Sequence, residues 1–192
     1  MAAENYNQEM ADFPSGHAGF IRAYGMYWDR SEVNWSPGQG NKGGFRLLGR
    51  DGKQYPKLKV CDFRPQRGIY ILYDDHGPVY VGLAKQQDLG NRLRDHTYLT
   101  DALSARWSRF SWFGWCRVLV SSGDDGAKLL GKVPQKVLTN SDSTIRDIEA
   151  LLIESLGTHR TSNIQKMKFA SALKWEQVKL DETQKYLNRL WI

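Results

Sequence analysis

The sequence predicts an α+β fold in which a small antiparallel β-sheet of about three central strands is flanked by helices. Two observations predict the sheet: a β-hairpin pattern over residues 68–82 and a long aromatic strand pattern over 109–120. A third predicts the helices, because apolar residues recur at helical spacing in 89–103 and again in 145–156. This order of strands and helices is typical of an antiparallel sheet with helices packed on it.

The segments around this pattern differ in composition. Residues 1–16 are polar and lack periodicity, which predicts a flexible tail. Residues 17–62 carry β-prone aromatic and apolar side chains around a glycine-rich loop at 36–44, and they predict a β-rich N-terminal extension. The central domain then covers residues 63–165, and the lysine-rich, amphipathic residues 166–192 predict a C-terminal helical extension.

Composition narrows the classes of function. The chain has 27 Lys and Arg against 21 Asp and Glu, and this formal net charge of +6 suits a polyanionic partner. No apolar run reaches the ~20 residues that a membrane helix needs, and the N-terminus lacks a signal-peptide pattern, so we expect no membrane partner. Cys61 and Cys116 are too few for a disulfide framework or a zinc site, which predicts reduced thiols in a cytoplasmic protein.

Basic and aromatic side chains are interleaved between residues 84 and 117, with aromatics at 107, 110, 112, 113 and 115. Basic groups contact phosphates, and exposed aromatic rings stack on bases, so this stretch is one candidate for nucleic-acid contact. The alternative is that the aromatic side chains form the hydrophobic core, which is their more usual place.

The predicted hairpin carries two tyrosines that bracket its turn. Tyr70 and Tyr80 are ten residues apart in the segments Gly68–Tyr73 and Val79–Gly82. Side chains alternate faces along a strand. If the residue numbers of two paired residues add up to an even number, both tyrosines lie on one face of the hairpin. A tyrosine acts as a general base if an arginine or a metal lowers its pKa, or if its proton leaves as water attacks. The alternative is that both are ordinary half-buried strand residues.

The next predicted helix carries Arg92 and His96 four residues apart, which places them on one helix face. Arginine presents a fixed fork of donors to a phosphate, and histidine exchanges a proton near neutral pH. The same spacing is also common on solvated helix faces, and this alternative stays open on the pair alone.

The last predicted helix contains one carboxylate inside an apolar run, Ile148-Glu149-Ala150-Leu151-Leu152-Ile153. A buried lone carboxylate is costly unless it is paired or binds a metal, and Mg²⁺ often takes only one or two protein carboxylates. Glu149 is therefore the candidate metal ligand and Glu154 the competing one. The alternative is a glutamate on the helix surface.

Taken in order, these segments resemble the GIY-YIG nuclease family. Gly68-Ile69-Tyr70 and, nine residues later, Tyr80-Val81-Gly82 are similar to the two tripeptides that name the family, with Val in place of Ile. Residues 89–96 resemble its segment with a catalytic arginine, and residues 148–153 resemble its helix with a metal-binding glutamate. The resemblance covers about residues 66–165.

The resemblance implies a Mg²⁺-dependent endonuclease that hydrolyses phosphodiester bonds with one metal ion, for which Mn²⁺ could substitute, and it favours DNA over RNA as the partner. The catalytic residues that it implies are Tyr70, Tyr80, Arg92, His96 and Glu149, with Glu149 also holding the metal. The residues that it implies for substrate binding are Gly82, Lys85, Arg94 and Asn163. A single centre cuts one strand per encounter, so a double-strand cut implies a homodimer or two events.

One position departs from the family pattern. Several relatives have a lysine directly after the second tripeptide, where this chain has Leu83, and Lys85 is the residue that could replace it. The main alternative to a nuclease is a module of the same family that binds nucleic acid without cutting it. A structural protein with a residual motif is the third interpretation. Residues 1–62 and the basic C-terminal segment are the candidates for target specificity.

Overall fold

The computed structural model divides the chain into two units. The larger unit is Arg22–Gln135 with Ala172–Ile192, and the smaller is Met1–Ile21 with Lys136–Ser171. The structure describes residues 19–38, 44–53, 57–98, 100, 102–133, 141–156, 169 and 171–189.

The larger unit is built on one nine-stranded sheet with the strand order β5-β4-β6-β1-β9-β2-β3-β8-β7. Most neighbouring strands are antiparallel, but β1 pairs with β9, and β3 with β8, in parallel. The strands are β1 Ala23–Asp29, β2 Leu48–Asp51, β3 Lys59–Asp62, β4 Gly68–Tyr73, β5 Pro78–Ala84, β6 Arg109–Gly114, β7 Val118–Ser122, β8 Lys128–Leu130 and β9 Leu173–Gln177.

Helices are few in the described part of the chain. It contains three α-helices: α1 Leu89–Asp95, α2 Ser141–Leu156 and α3 Thr183–Arg189. Short 3-10 turns occupy Arg30–Glu32 and Leu180–Glu182. None of the helices in the described ranges is long and apolar enough to cross a membrane.

The predicted fold class, a sheet of about three central strands flanked by helices, is therefore wrong. The sheet is mixed and has nine strands, because β1 continues it beyond β6 and β9 joins β1 to β2. These pairings are non-local: Ala23 lies opposite Leu173, and Gly49 lies opposite Gln177. Local periodicity carries no information about partners so far apart in sequence.

The predicted C-terminal helical extension over residues 166–192 is also corrected. Leu173–Gln177 is a strand, and among the described residues of this segment only Thr183–Arg189 is an α-helix. The Trp175 side chain is buried, while its neighbours along the strand are more exposed. Gln177 fixes the strand against β1, since its side-chain oxygen accepts from the Asp29 amide at 2.6 Å and its amide donates to the Asp29 carbonyl at 2.9 Å.

The predicted hairpin is confirmed as the antiparallel pair β4 and β5, and β6 pairs with β4 on its other side. The single strand expected over 109–120 is instead two strands, β6 and β7. A buried side chain holds the break between them. Gln66 Oε1 accepts from the Cys116 amide at 2.8 Å, and Gln66 Nε2 donates to the Cys116 carbonyl at 2.9 Å.

The core of the larger unit is aromatic. Trp28 makes an edge contact with Trp112 at 5.4 Å between ring centroids, and Phe63 lies 4.4 Å from Trp112 and 5.0 Å from Trp175. All four side chains are at most 2% exposed. Among the interleaved aromatics of the 84–117 stretch, those at 107, 110, 112 and 113 are likewise buried, which confirms the core interpretation for them and leaves them unable to stack on bases.

Candidate active site

Tyr70 and Tyr80 lie on the same face of the hairpin. Tyr70 is opposite Gly82 and Tyr80 is opposite Leu72, so the residue numbers of each pair add up to an even number. The two tyrosine rings are 6.0 Å apart between centroids. Tyr70 is fully buried and Tyr80 partly exposed, which puts one hydroxyl inside the fold and the other nearer its surface.

Glycine is required at two positions of the tripeptides for steric reasons. A Cβ on Gly82 would lie 2.1 Å from Tyr70 Cζ and 2.3 Å from Tyr70 Oη. The Tyr70 ring therefore occupies the space that a side chain at position 82 would need. Gly68 has a φ of +154°, and a Cβ there would meet the Phe113 carbonyl oxygen at 2.0 Å. The resemblance implies that Gly82 binds substrate, and the structure places it beneath Tyr70.

Helix α1 is shorter than the predicted helix over 89–103. The Asp88 side chain caps it by accepting from the Asn91 amide at 2.8 Å, and Leu89 and Leu93 pack into the core. The helix ends at Asp95, so that His96 is its C-terminal cap residue instead of a mid-helix residue.

His96 meets both tyrosines of the hairpin. Its Nε2 atom is 2.8 Å from Tyr70 Oη, in a buried hydrogen bond. The His96 ring also makes an edge contact with Tyr80, with 4.8 Å between centroids. The structure thus brings together Tyr70, Tyr80 and His96, which were predicted from the sequence as members of one site.

Two further residues position His96, and neither was predicted from the sequence. Trp107 Nε1 donates to the His96 carbonyl at 3.0 Å in a buried hydrogen bond. The Arg30 guanidinium lies 4.5 Å from the centroid of the Trp107 ring and donates to the Trp107 carbonyl at 3.3 Å. No sequence pattern connects residues 30, 96 and 107, because the contacts are made only by the fold.

The fourth member of the group is Arg92. Burial raises the pKa of the Tyr70 hydroxyl well above its usual range, and Tyr80 adds to this shift. The Arg92 guanidinium opposes it through its positive charge and by hydrogen bonding, but burial dominates. Tyr70 is therefore protonated at neutral pH. Arg92 Nε is itself buried, with no hydrogen-bond partner among the described residues.

The residues expected to bind substrate are more dispersed. Lys85 is exposed at the bend that follows β5. Leu83 is 50% exposed and points to the face of β5 opposite that of Tyr80 and Gly82, so its side chain does not enter the group around Tyr70. Arg94 lies with its guanidinium carbon 5.2 Å from the centroid of the Phe45 ring. Asn163 lies outside the described residues.

The candidate metal ligand belongs to the smaller unit. Glu149 is an exposed residue of α2, whereas Ala150 and Ile153 are its buried neighbours. Of the two alternatives, the structure therefore agrees with a glutamate on the helix surface at position 149, while Glu154 is partly buried. An exposed carboxylate is chemically suited to a hard cation, which prefers oxygen ligands and keeps several of its waters.

Asp147 is a buried carboxylate of α2. Its side chain is 0% exposed and accepts from the Ile21 amide at 3.0 Å. A Cβ on Gly19 would meet the Asp147 carboxylate at 2.1 Å, so the backbone at residues 19–21 lies directly against it. Within the smaller unit, Asp147 thus joins the start of the described chain to α2.

The group around Tyr70 combines a hydrogen-bonded tyrosine–histidine pair with an adjacent guanidinium. Such a pair moves a proton between its two members, and a guanidinium binds an anion beside it. No protein family, curated protein or solved structure matches the chain in the comparisons made with each. Function is therefore inferred from the chemistry of these residues and from the motif resemblance.

Proposed function

We propose that this chain is a Mg²⁺-dependent endonuclease of the GIY-YIG type that hydrolyses phosphodiester bonds in nucleic acid, with DNA the favoured substrate. The observation that carries this proposal is the 2.8 Å hydrogen bond between Tyr70 Oη and His96 Nε2, next to Arg92. The free, buried Cys61 and Cys116 support the cytoplasmic location expected from the sequence.

Proton transfer in this proposal passes through Tyr70 to His96. Because burial keeps Tyr70 protonated, its hydroxyl accepts a proton only if it gives up its own. As the water oxygen forms a bond to phosphorus, the bond between phosphorus and the leaving oxygen breaks, and that oxygen keeps the electron pair. One O–H bond of the water also breaks, and its proton moves to Tyr70 Oη. The original Tyr70 proton moves to His96 Nε2, which becomes part of an imidazolium. The pair thereby acts as a general base without a free tyrosinate.

Arg92 holds the phosphate in this proposal. Its guanidinium is close enough to Tyr70 to lower the pKa of the hydroxyl, so an oxygen bound by Arg92 would lie beside the hydroxyl that receives the proton. A planar fork of donors stabilises the charge that develops on a phosphate oxygen during attack. Loss of such a contact costs on the order of 10²–10³-fold in rate.

Mg²⁺ would be held by Glu149, or by Glu154 as the competing ligand. When bound, the ion supplies charge neutralisation at the phosphate and stabilisation of the leaving oxygen. The exposed Glu149 carboxylate fits this role chemically.

The metal ligand is tested by comparing Glu149→Gln with Glu154→Gln by water proton relaxation in Mn²⁺ titrations, which measures metal binding without cleavage. Loss of Mn²⁺ binding in Glu149→Gln alone is expected, and loss in Glu154→Gln alone would reverse the assignment.

The nuclease proposal is tested with supercoiled plasmid, single-stranded DNA and RNA, each in Mg²⁺ and in EDTA. Nicking before linearisation is expected in Mg²⁺ and no product in EDTA. Tyr70→Phe and His96→Gln should each lower the rate at least 100-fold. Tyr73→Phe is the matched control, because Tyr73 is also a buried tyrosine of β4 but lies on the opposite face. A Tyr70→Phe rate equal to that of Tyr73→Phe would refute the proposed proton path.

A nucleic-acid-binding module without cleavage is the second candidate function. The observation that favours it is the high pKa of Tyr70, since a permanently protonated tyrosine beside Arg92 also suits simple phosphate binding. This candidate requires binding that survives EDTA and no product from any of the three substrates.

A further inference from the structure

Helix α1 presents its two arginines in different directions. Arg92 and Arg94 are two residues apart, a rotation of about 200° around the helix. The charge of Arg92 lowers the pKa of the Tyr70 hydroxyl against the larger effect of burial. The Arg94 guanidinium carbon instead lies 5.2 Å from the centroid of the Phe45 ring. In both arginines Nε is buried, with no hydrogen-bond partner in the part of the chain that the structure describes. Arg94 therefore has surroundings that differ from those of Arg92.

A third arginine reaches the same side of α1. Gly90 precedes Arg94 by one helical turn, and Arg64 crosses the surface of the helix at this glycine. A Cβ on Gly90 would meet Arg64 Cγ at 2.4 Å and Phe45 Cζ at 3.1 Å, so only glycine admits both side chains. The Gly90 amide also donates to the Arg64 carbonyl at 2.9 Å. Arg64 and Arg94 are thus brought together around Phe45.

The acidic groups near Arg64 have other hydrogen-bond or ion-pair partners. Burial raises the pKa of the Asp62 carboxyl, and the positive charges of Arg46 and Arg64 oppose this rise. The Asp62 carboxylate accepts from the backbone amides of Leu47 and Arg64, and Asp125 forms an ion pair with Arg46. Arg64 Nε is buried and has no hydrogen-bond partner among the described residues. Arg64 also lines a cavity of about 180 Å³, whose other charged lining residues are Arg46, Asp62, Asp125 and Lys128.

A buried guanidinium nitrogen without an acceptor is costly, as at the Nε atoms of Arg64 and Arg94, and a phosphate offers the acceptor geometry that the fork of donors matches. We propose that Arg64 and Arg94 form a second phosphate-binding subsite, which holds the nucleic-acid backbone on the side of α1 away from Arg92. This subsite rests on the proposed function only in its choice of ligand. Arg92 takes the phosphate that is cut, and Arg64 and Arg94 take another phosphate of the same substrate.

The subsite is tested by fluorescence anisotropy with labelled DNA in EDTA, so that binding is measured without cleavage. Arg64→Gln and Arg94→Gln should each weaken binding roughly tenfold and reduce the slope of log affinity against log salt by about one. Arg64→Lys should keep the salt slope but lose part of the affinity, because it keeps the charge and loses the fork. Arg106→Gln, at an exposed arginine of the same unit, is the control for loss of charge alone.

The outcomes separate the subsite from the nuclease proposal. If Arg64→Gln weakens binding but the parent never cuts, the subsite stands and the nuclease proposal fails. If the parent cuts and Arg64→Gln binds DNA no more weakly than Arg106→Gln does, the subsite is refuted. Titration with inorganic phosphate alone, followed by calorimetry, provides another arm. Phosphate binding that depends on Arg64, with DNA affinity unchanged, would show a small-anion site and overturn the proposal. Thermal melting verifies that each variant is folded.

Discussion

Replacing Gly82 by alanine tests the packing of the tyrosine site most directly. The new Cβ would lie 2.1 Å from Tyr70 Cζ, and ordinary contact begins at 3.4 Å, so the ring must move by 1.3 Å. Tyr70 is fully buried, and its hydroxyl is 2.8 Å from His96 Nε2. A displacement of this size breaks that hydrogen bond. Overpacking costs about 1–3 kcal/mol and a broken buried hydrogen bond about 1–3 kcal/mol, so we expect a loss of roughly 2–6 kcal/mol.

The assay is urea unfolding followed by circular dichroism, with cleavage measured on the same variant. Gly131→Ala is the matched control, because the nearest atom to its new Cβ is 3.2 Å away on the flexible Arg117 side chain. In a Tyr70→Leu background the ring is gone, and Gly82→Ala should then cost less than about 1 kcal/mol. If Gly82→Ala loses no more stability than Gly131→Ala, the Tyr70 ring does not occupy the space above residue 82.

Three further predictions concern other parts of the larger unit. Gln66→Ala leaves the Cys116 amide and carbonyl without their buried partner and should lower the free energy of unfolding by about 2–4 kcal/mol in urea titrations; a loss below 1 kcal/mol would contradict this. Trp107→Phe removes the donor to the His96 carbonyl and should lower the cleavage rate about tenfold. The pH–rate profile should also shift, whereas a purely structural role of Trp107 would leave that profile unchanged. Burial raises the pKa of Tyr73 from 10.0 to about 12, so above pH 10 the unfolded state loses this proton first and stability should fall between pH 10 and 12. Tyr73→Phe should flatten that fall in thermal melts, and an unchanged fall would assign it to other groups.

The hairpin was predictable because all of its signals are local. The turn at residues 74–78 and the apolar segments beside it define two strands without reference to the rest of the chain. The parity of the register then decided whether Tyr70 and Tyr80 share a face. The sheet beyond β6 was not predictable in this way. Its strand β9 pairs with β1 and β2, which are far from it in sequence.

The metal-ligand prediction depended on which face of α2 is buried, and the sequence does not determine this. Apolar residues occur on both sides of the helix: Ala150 and Ile153 are buried, but Ile148 and Leu152 are 47% and 52% exposed. When both faces are apolar, helical periodicity cannot identify the interior one. The sequence therefore left open whether Glu149 is an interior carboxylate or a surface glutamate, and the structure shows it to be exposed.

The tyrosine site links the packing of the hairpin to its chemistry. The absence of a side chain at Gly82 leaves room for the Tyr70 ring to lie across β5. The early end of α1 then makes His96 a cap residue, and the Trp107 indole holds its carbonyl. The Tyr70 hydroxyl meets His96 Nε2 only if all of these conditions hold. Burial by the same packing keeps Tyr70 protonated, so any base chemistry at this site requires His96 as the final proton acceptor.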